Sequence, residues 1–335
     1  ELRFSLNLFG DLGSSLKLGD DTESNFHLGQ MGLLANADLG NNIRNLTELV
    51  IENIEGHGAI VDLERLWLRW DRDRLFVMAG RMHTDFGYWN TAYHHGSWLQ
   101  LSFDRPRTMA FEDEGGFLPV HSTGVQVGYN IPVGGEREVH MRLTVANGRG
   151  NNPDDIRVLD DTNNAKSLTL QTFLRDGRDW RVGVSLLYDR IAAAPAELRP
   201  NLPDEEMVEF LGNIHAVWFH KNFTFIGEAF LSHYKADSDD WTSYAGYALF
   251  GYHIQKFTPY FRIEGFSYQG DTQNPFVVPD PTAPGAQLER DQFELVGGLR
   301  YDIADWAALK LEYQYRPPAP TPVAPGLTPI PGEES

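Results

Sequence analysis

Cysteine is absent from the 335 residues of this chain. That removes disulfides, thiolate metal sites, covalently attached haem and cysteine nucleophiles in one step, and it suits passage through an oxidising compartment. Long apolar runs are missing as well: no stretch approaches the roughly 18 apolar residues of a membrane-spanning helix, and the mean hydropathy is −0.37. Positive charge is scarce, with 28 basic residues against 47 acidic ones and a net charge of −19. Nucleic acid is not expected as a partner, because binding to a phosphate backbone rests on clustered Lys and Arg. No G-x-S-x-G elbow occurs, nothing in the sequence brings a partner to His215 or His253, and no enzyme activity is expected. The chain starts at Glu1 without a methionine or signal peptide, which reads as a processed or trimmed start.

What is present is a two-residue alternation. Leu309, Leu311, Tyr313 and Tyr315 are apolar, and Lys310, Glu312, Gln314 and Arg316 between them are polar. Side chains of a strand alternate faces, so such a segment has one oily and one wet face. The pattern predicts strands over residues 2–9, 26–39, 43–54, 59–70, 75–81, 121–131, 139–145, 165–174, 180–188, 208–219, 223–234, 241–253, 257–268, 292–301 and 306–315. The wet faces are charged, the strands are long, and the connections alternate short and long. That combination predicts an all-β, transmembrane antiparallel β-barrel with a polar lumen, short periplasmic turns and long external loops.

Fifteen strands are visible, whereas bacterial barrels carry an even number. The expectation is a barrel of about sixteen strands whose closing strand is missing from the visible pattern. The alternative is one strand overlooked within residues 82–120. The barrel is assigned to residues 1–316, and the Pro-rich residues 317–335 are an external loop or a tail.

The alternation breaks from residue 82 to residue 120, a stretch rich in Gly, Pro, His, aromatics and acids and too long for a hairpin connection. A long connection after the fifth strand can fold inward and narrow a pore. Arg105 and Arg107 lie near Glu112, Asp113 and Glu114, and opposed charges of this kind are expected to form the constriction. Arg81, Glu48, Glu64, Arg142, Arg181, Glu228, Arg262, Glu264 and Arg300 are expected to line the pore, together with Glu52, Asp62, Glu294, Lys310 and Glu312. Acids outnumber bases among them, which predicts a mild cation preference. His83, Asp85, His94, His95 and His121 invite a metal reading. Adjacent His94 and His95 would point apart in an extended chain, so solvated or interfacial histidines are expected and no metal or other cofactor is assigned.

Over nearly the whole chain this strand pattern, with the Gly80-Arg81…Phe86-Gly87 segment leaving the fifth strand, resembles the Gram-negative outer-membrane porins of the general sixteen-stranded type. More loosely it resembles the phosphate-selective porin group. The resemblance implies passive diffusion of small hydrophilic solutes or ions across an outer membrane, with lipid around the barrel and a homotrimer as a compatible assembly. The phosphate-selective members imply a lysine-rich pathway, and this chain has six lysines. Porin modules also occur in electron-transfer systems, so the alternative is a non-conducting scaffold that sheathes or docks a periplasmic or extracellular protein partner, such as a cytochrome or export component. Without a C-x-x-C-H, any haem would belong to that partner.

Overall fold

The structure, a computed structural model, describes residues 2–17, 23–54, 58–94, 96–110, 118–151, 163–195, 204–268 and 291–317. Fifteen strands form one antiparallel sheet in chain order. They are β1 (Arg3–Lys17), β2 (Glu23–Gly40), β3 (Ile43–Ile54), β4 (Gly58–Arg72), β5 (Leu75–His83), β6 (His121–Gly134), β7 (Arg137–Asn147) and β8 (Lys166–Asp176). The sheet continues with β9 (Trp180–Ile191), β10 (Met207–His220), β11 (Phe223–Lys235), β12 (Asp240–Tyr252), β13 (Phe257–Tyr268), β14 (Asp291–Ala304) and β15 (Ala307–Tyr315). Two single-turn helices, α1 (Trp89–Ala92) and α2 (Arg107–Ala110), lie between β5 and β6. No helix among the described residues is long and apolar enough to cross a membrane.

Every strand pairs with its sequence neighbours, and β1 and β15 have one partner each among the described residues. Residues 318–335 lie outside the described residues, as does the tail expected there. The strands are longer than the apolar alternation alone predicts. β1 runs on from Phe9 to Lys17 through Gly10, Gly13, Ser14 and Ser15, which carry no apolar signal, because β2 supplies backbone partners after a register shift between Gly10 and Leu12. Inside a bilayer every backbone N–H and C=O needs such a partner, and a continuous ladder provides it.

The turns at one end are short because their residues accept left-handed backbone. Asn41 and Asn42 have φ of 52° and 63°, the two positive values that a type I′ hairpin requires. Asp73, Lys221 and Gln255 adopt the same region in three further short turns.

Apolar residues face outward along the sheet. Leu309, Leu311 and Tyr313 on β15, and Met141, Leu143 and Val145 on β7, are exposed. Charged and polar residues on the opposite face are buried, among them Glu209, Arg262 and Glu264. This inversion of the usual globular arrangement is what a lipid-facing exterior requires. The inner face departs from the expected polar lumen between β9 and β14. There Leu187, Leu211, Ile226, Phe230, Tyr247, Leu249 and Val296 join Phe86, Trp89, Leu118 and Val120 of the β5–β6 connection in one buried apolar cluster. β10 shows why the pattern concealed this. Met207, Leu211 and Val217 share the inner face with Glu209, Asn213 and His215, so that face mixes apolar and polar side chains.

Candidate functional site: the β5–β6 loop and the inner wall

The loop leaves β5 at His83 and returns to β6 at His121, two residues that are partners in the ladder. Its neck is closed by Thr84 N–H donating to Val120 O at 2.9 Å. Asn90 ties it further, its amide donating to Thr84 O at 2.9 Å and to Val120 O at 3.0 Å.

Beyond the neck the loop's backbone is held by inner-wall side chains. Gly87 N–H donates to Ser185 Oγ at 3.0 Å, and Gly87 O accepts from Gln171 at 2.8 Å. Gly87 has φ of +74°, and a Cβ there would sit 2.4 Å from Glu228 Oε2, so only glycine fits. Glu228 accepts from the N–H groups of Tyr88 at 2.8 Å and Trp89 at 2.7 Å. It also accepts from Asn213 at 3.0 Å and from the Tyr247 hydroxyl at 2.6 Å. Burial pushes the Tyr88 and Tyr93 hydroxyls up from their ordinary pKa, so both stay neutral.

Farther on, residues 97–104 lie against the last strands and reach the first. Lys310 donates to the carbonyls of Ser97, of Gln100 at 2.8 Å and of Ser102 at 2.9 Å. Arg300 donates to Gln100 O at 3.0 Å, and Arg262 to Asp104 O at 2.7 Å. Glu312 accepts from Phe103 N–H at 2.9 Å and from Tyr260 at 2.8 Å. On the other side Trp98 stacks on Phe9 of β1 with ring centroids 5.5 Å apart. One loop segment therefore touches both outermost strands of the sheet.

The expected pore-lining residues fall into two groups. Glu228, Arg262 and Glu264 point inward but are buried, with loop backbone against Glu228 and Arg262, which differs from the water-bathed wall expected of them. Glu64 and Arg81 are buried too, Arg81 donating to Leu63 O at 2.8 Å. The second group keeps partial access. In it Glu48 pairs with Arg65 at 2.5 Å and Arg142 with Asp85 at 2.8 Å, and the neighbouring Arg69, which the sequence reading did not single out, pairs with Asp71 at 2.6 Å. Arg181 donates to His215 at 2.9 Å and stacks over Phe173 at 3.6 Å.

Of the expected constriction residues, Arg105 is half-buried and Arg107 opens α2, while Glu112, Asp113 and Glu114 lie outside the described residues. The side chains of Glu52 and Arg107, and His95 altogether, also lie outside them. Gln171, Ser185, Tyr247 and Tyr260 were missed by the sequence reading. Each lies on the inner face of its strand, so the alternation could have found them, but it does not say which inner positions meet the loop.

His83, His94 and His121 are not solvated. His83, His94 and His121 gather with Glu64, one potential ligand atom from each lying within 4.8 Å of all the others. Asp85, read with them in the sequence, instead accepts from Arg142 and Gln126. Glu64 reaches the cluster through a β-bulge. Glu48 pairs with Arg65 and Leu49 with Leu63, so Glu64 is the extra residue, and a bulge re-aims a side chain in this way.

No family model and no curated protein matches this chain. Solved structures do. OprB of Pseudomonas putida superposes with a TM-score of 0.60 at 14% identity, covering 94% of this chain and 89% of that one. The anion-selective porin of Comamonas acidovorans gives 0.58 at 12% identity, covering 94% and 90%. The trimeric outer-membrane protein OmpT of Vibrio cholerae gives 0.57 at 11% identity, covering 93% and 88%. The fold is that of the porin-type barrels of the bacterial outer membrane.

Proposed function

We propose that this protein is an outer-membrane porin through which small hydrophilic solutes and ions diffuse passively, with a mild preference for cations. The observation that carries this reading is the β5–β6 loop, bound through its backbone to inner-wall side chains of a porin-type barrel. Such a loop narrows a lumen without needing covalent chemistry or a cofactor. The solute path runs along β3–β9, where Glu48, Arg65, Arg69 and Arg142 keep 14%, 23%, 24% and 25% of their side chains exposed. These arginines would favour anions if they stood alone. Each has a carboxylate partner, so the local field is small, and the larger number of acids than bases among the inward-facing wall positions supports the cation preference. Arg105, Arg107, Glu112, Asp113 and Glu114 are proposed as the charges of the constriction.

Single-channel conductance in planar bilayers, with reversal potential under a KCl gradient, tests this directly. A steady conductance with a cation-favouring reversal is expected, and Glu112→Gln should move the reversal potential toward zero. An anion-favouring reversal would retract the selectivity but keep the pore.

The apolar cluster between the loop and β9–β14 favours a second reading, a scaffold barrel whose lumen is filled by its own loop and which sheathes or docks a protein partner. Insertion without conductance would select it.

A further inference from the structure

The loop neck carries a cluster that the pore reading leaves unused. Glu64 comes from β4, His83 from the end of β5, His121 from the start of β6, and His94 from the turn after α1. His121 Nε2 lies 2.6 Å and His94 Nε2 3.4 Å from Glu64 Oε2. The His83 and His94 rings stack with centroids 3.9 Å apart, and the His94 and His121 rings meet at 4.6 Å. Four ligands held at about 2.1 Å around a tetrahedral ion sit about 3.4 Å from one another, and the ligand atoms of this set all lie within 4.8 Å of one another, so a small adjustment brings them to an ion.

Two further observations point to an ion. The Asn90 amide nitrogen faces two backbone carbonyls, which can only accept, so its oxygen must face His94 Nδ1, at 3.0 Å. A neutral His94 therefore carries its proton on Nδ1 and presents the Nε2 lone pair to the cluster. A hydrogen bond from the far ring nitrogen to a fixed acceptor is how metal-binding histidines are held in tautomer and orientation. In addition, both ring nitrogens of His83 are shut off from solvent and have no hydrogen-bond partner among the described residues. A ring N–H left so is costly, and a lone pair aimed at a metal removes half of that problem.

We propose that Glu64, His83, His94 and His121 bind one zinc-like divalent transition-metal ion. Three imidazoles and one carboxylate suit zinc and its first-row neighbours, whereas calcium and magnesium take oxygen ligands. Four protein ligands in a buried position leave no open coordination site, so the ion is structural. It would tie the turn after α1 to both ends of the loop and to β4, fixing the loop at its root. Of the neighbouring cations, Arg65 is paired with the Glu48 carboxylate.

The test uses the full chain, unfolded with EDTA, refolded into detergent and titrated with Co2+ and then Zn2+. Binding is read separately from conduction. One equivalent of Co2+ per chain is expected, with the intense visible absorption of four-coordinate cobalt, displaced by Zn2+. His83→Ala and Glu64→Gln should each weaken Zn2+ binding at least about tenfold, the scale seen when one supporting group of a metal site is lost. His220→Ala, at an exposed histidine, should leave it unchanged. An octahedral cobalt spectrum, or equal Zn2+ affinity in wild type and His83→Ala, would overturn the assignment. Should His83→Ala fail to assemble, X-ray absorption of zinc-loaded wild type decides, and a first shell without several imidazoles would overturn it.

Discussion

Glu228→Gln separates a loop seated by one carboxylate from a loop merely packed against the wall. Glu228 Oε2 accepts from Tyr88 N–H and Asn213, and Oε1 accepts from Trp89 N–H and the Tyr247 hydroxyl. Glutamine has the same shape but replaces one oxygen with an NH2. The Tyr247 hydroxyl can turn and accept from that NH2, but the Trp89 backbone N–H cannot. The least costly arrangement thus leaves one buried donor unmet, a loss of about 1–3 kcal/mol. Glu228→Ala leaves both backbone donors without an acceptor and should cost about 3–5 kcal/mol, allowing for partial rescue by water. Guanidinium titration of the protein in lipid vesicles measures both losses, and planar bilayers should show a larger, noisier conductance in the alanine variant. Full stability in Glu228→Ala, to within about 0.5 kcal/mol, would show that the four contacts do not hold the loop.

Lys310→Met keeps the length of the side chain but loses charge-assisted bonds to three loop carbonyls. It should lower stability by about 2–4 kcal/mol in the same titration and expose residues 97–104 to protease. Asp104 tests the sign of a pH effect. Although part of its surface is exposed, its enclosure against β15, followed by repulsion from Glu312, raises its carboxyl above the ordinary pKa. A raised carboxyl favours the folded state at acid pH, and that contribution is lost as pH rises through the folded pKa. Asp104→Asn should therefore be more stable than wild type at neutral pH, with the difference shrinking in acid. A difference that grows in acid would refute the sign.

The barrel was legible because its signal is local. Each strand shows its own two-residue period, and all fifteen strands of the sheet lie where the alternation places them. The ends were less legible. β5 extends past Arg81 to His83, and only those last residues bring His83 opposite His121. The seating of the loop was not legible at all, because Glu228 or Lys310 read as ordinary inward positions until the loop lies over them. Glu64 is the sharpest case: alternation marks it as an inward acid, but its place beside three histidines depends on a bulge and on a loop that returns from 30 residues away, as His94 shows by its number. The mixed inner face of β10 was hidden for another reason. Apolar residues on both sides of a strand weaken the period that identifies the lumen.

The same loop constrains how the molecule can be made. Each strand pairing joins neighbours in sequence, several of them through tight hairpins. Hydrogen bonds from the loop to β8–β15 instead link residues 84 to 213 positions apart, from Gly87 with Gln171 to Lys310 with Ser97. Contacts of such separation carry a large loop-closure cost and form late. β5 and β6 are therefore complete while the chain between them still waits for β8 to β15 to curl around it. The seating of this insert is the expected slow step of assembly, and perturbations at Glu228 or Lys310 should retard the last phase of folding while leaving early strand formation unchanged.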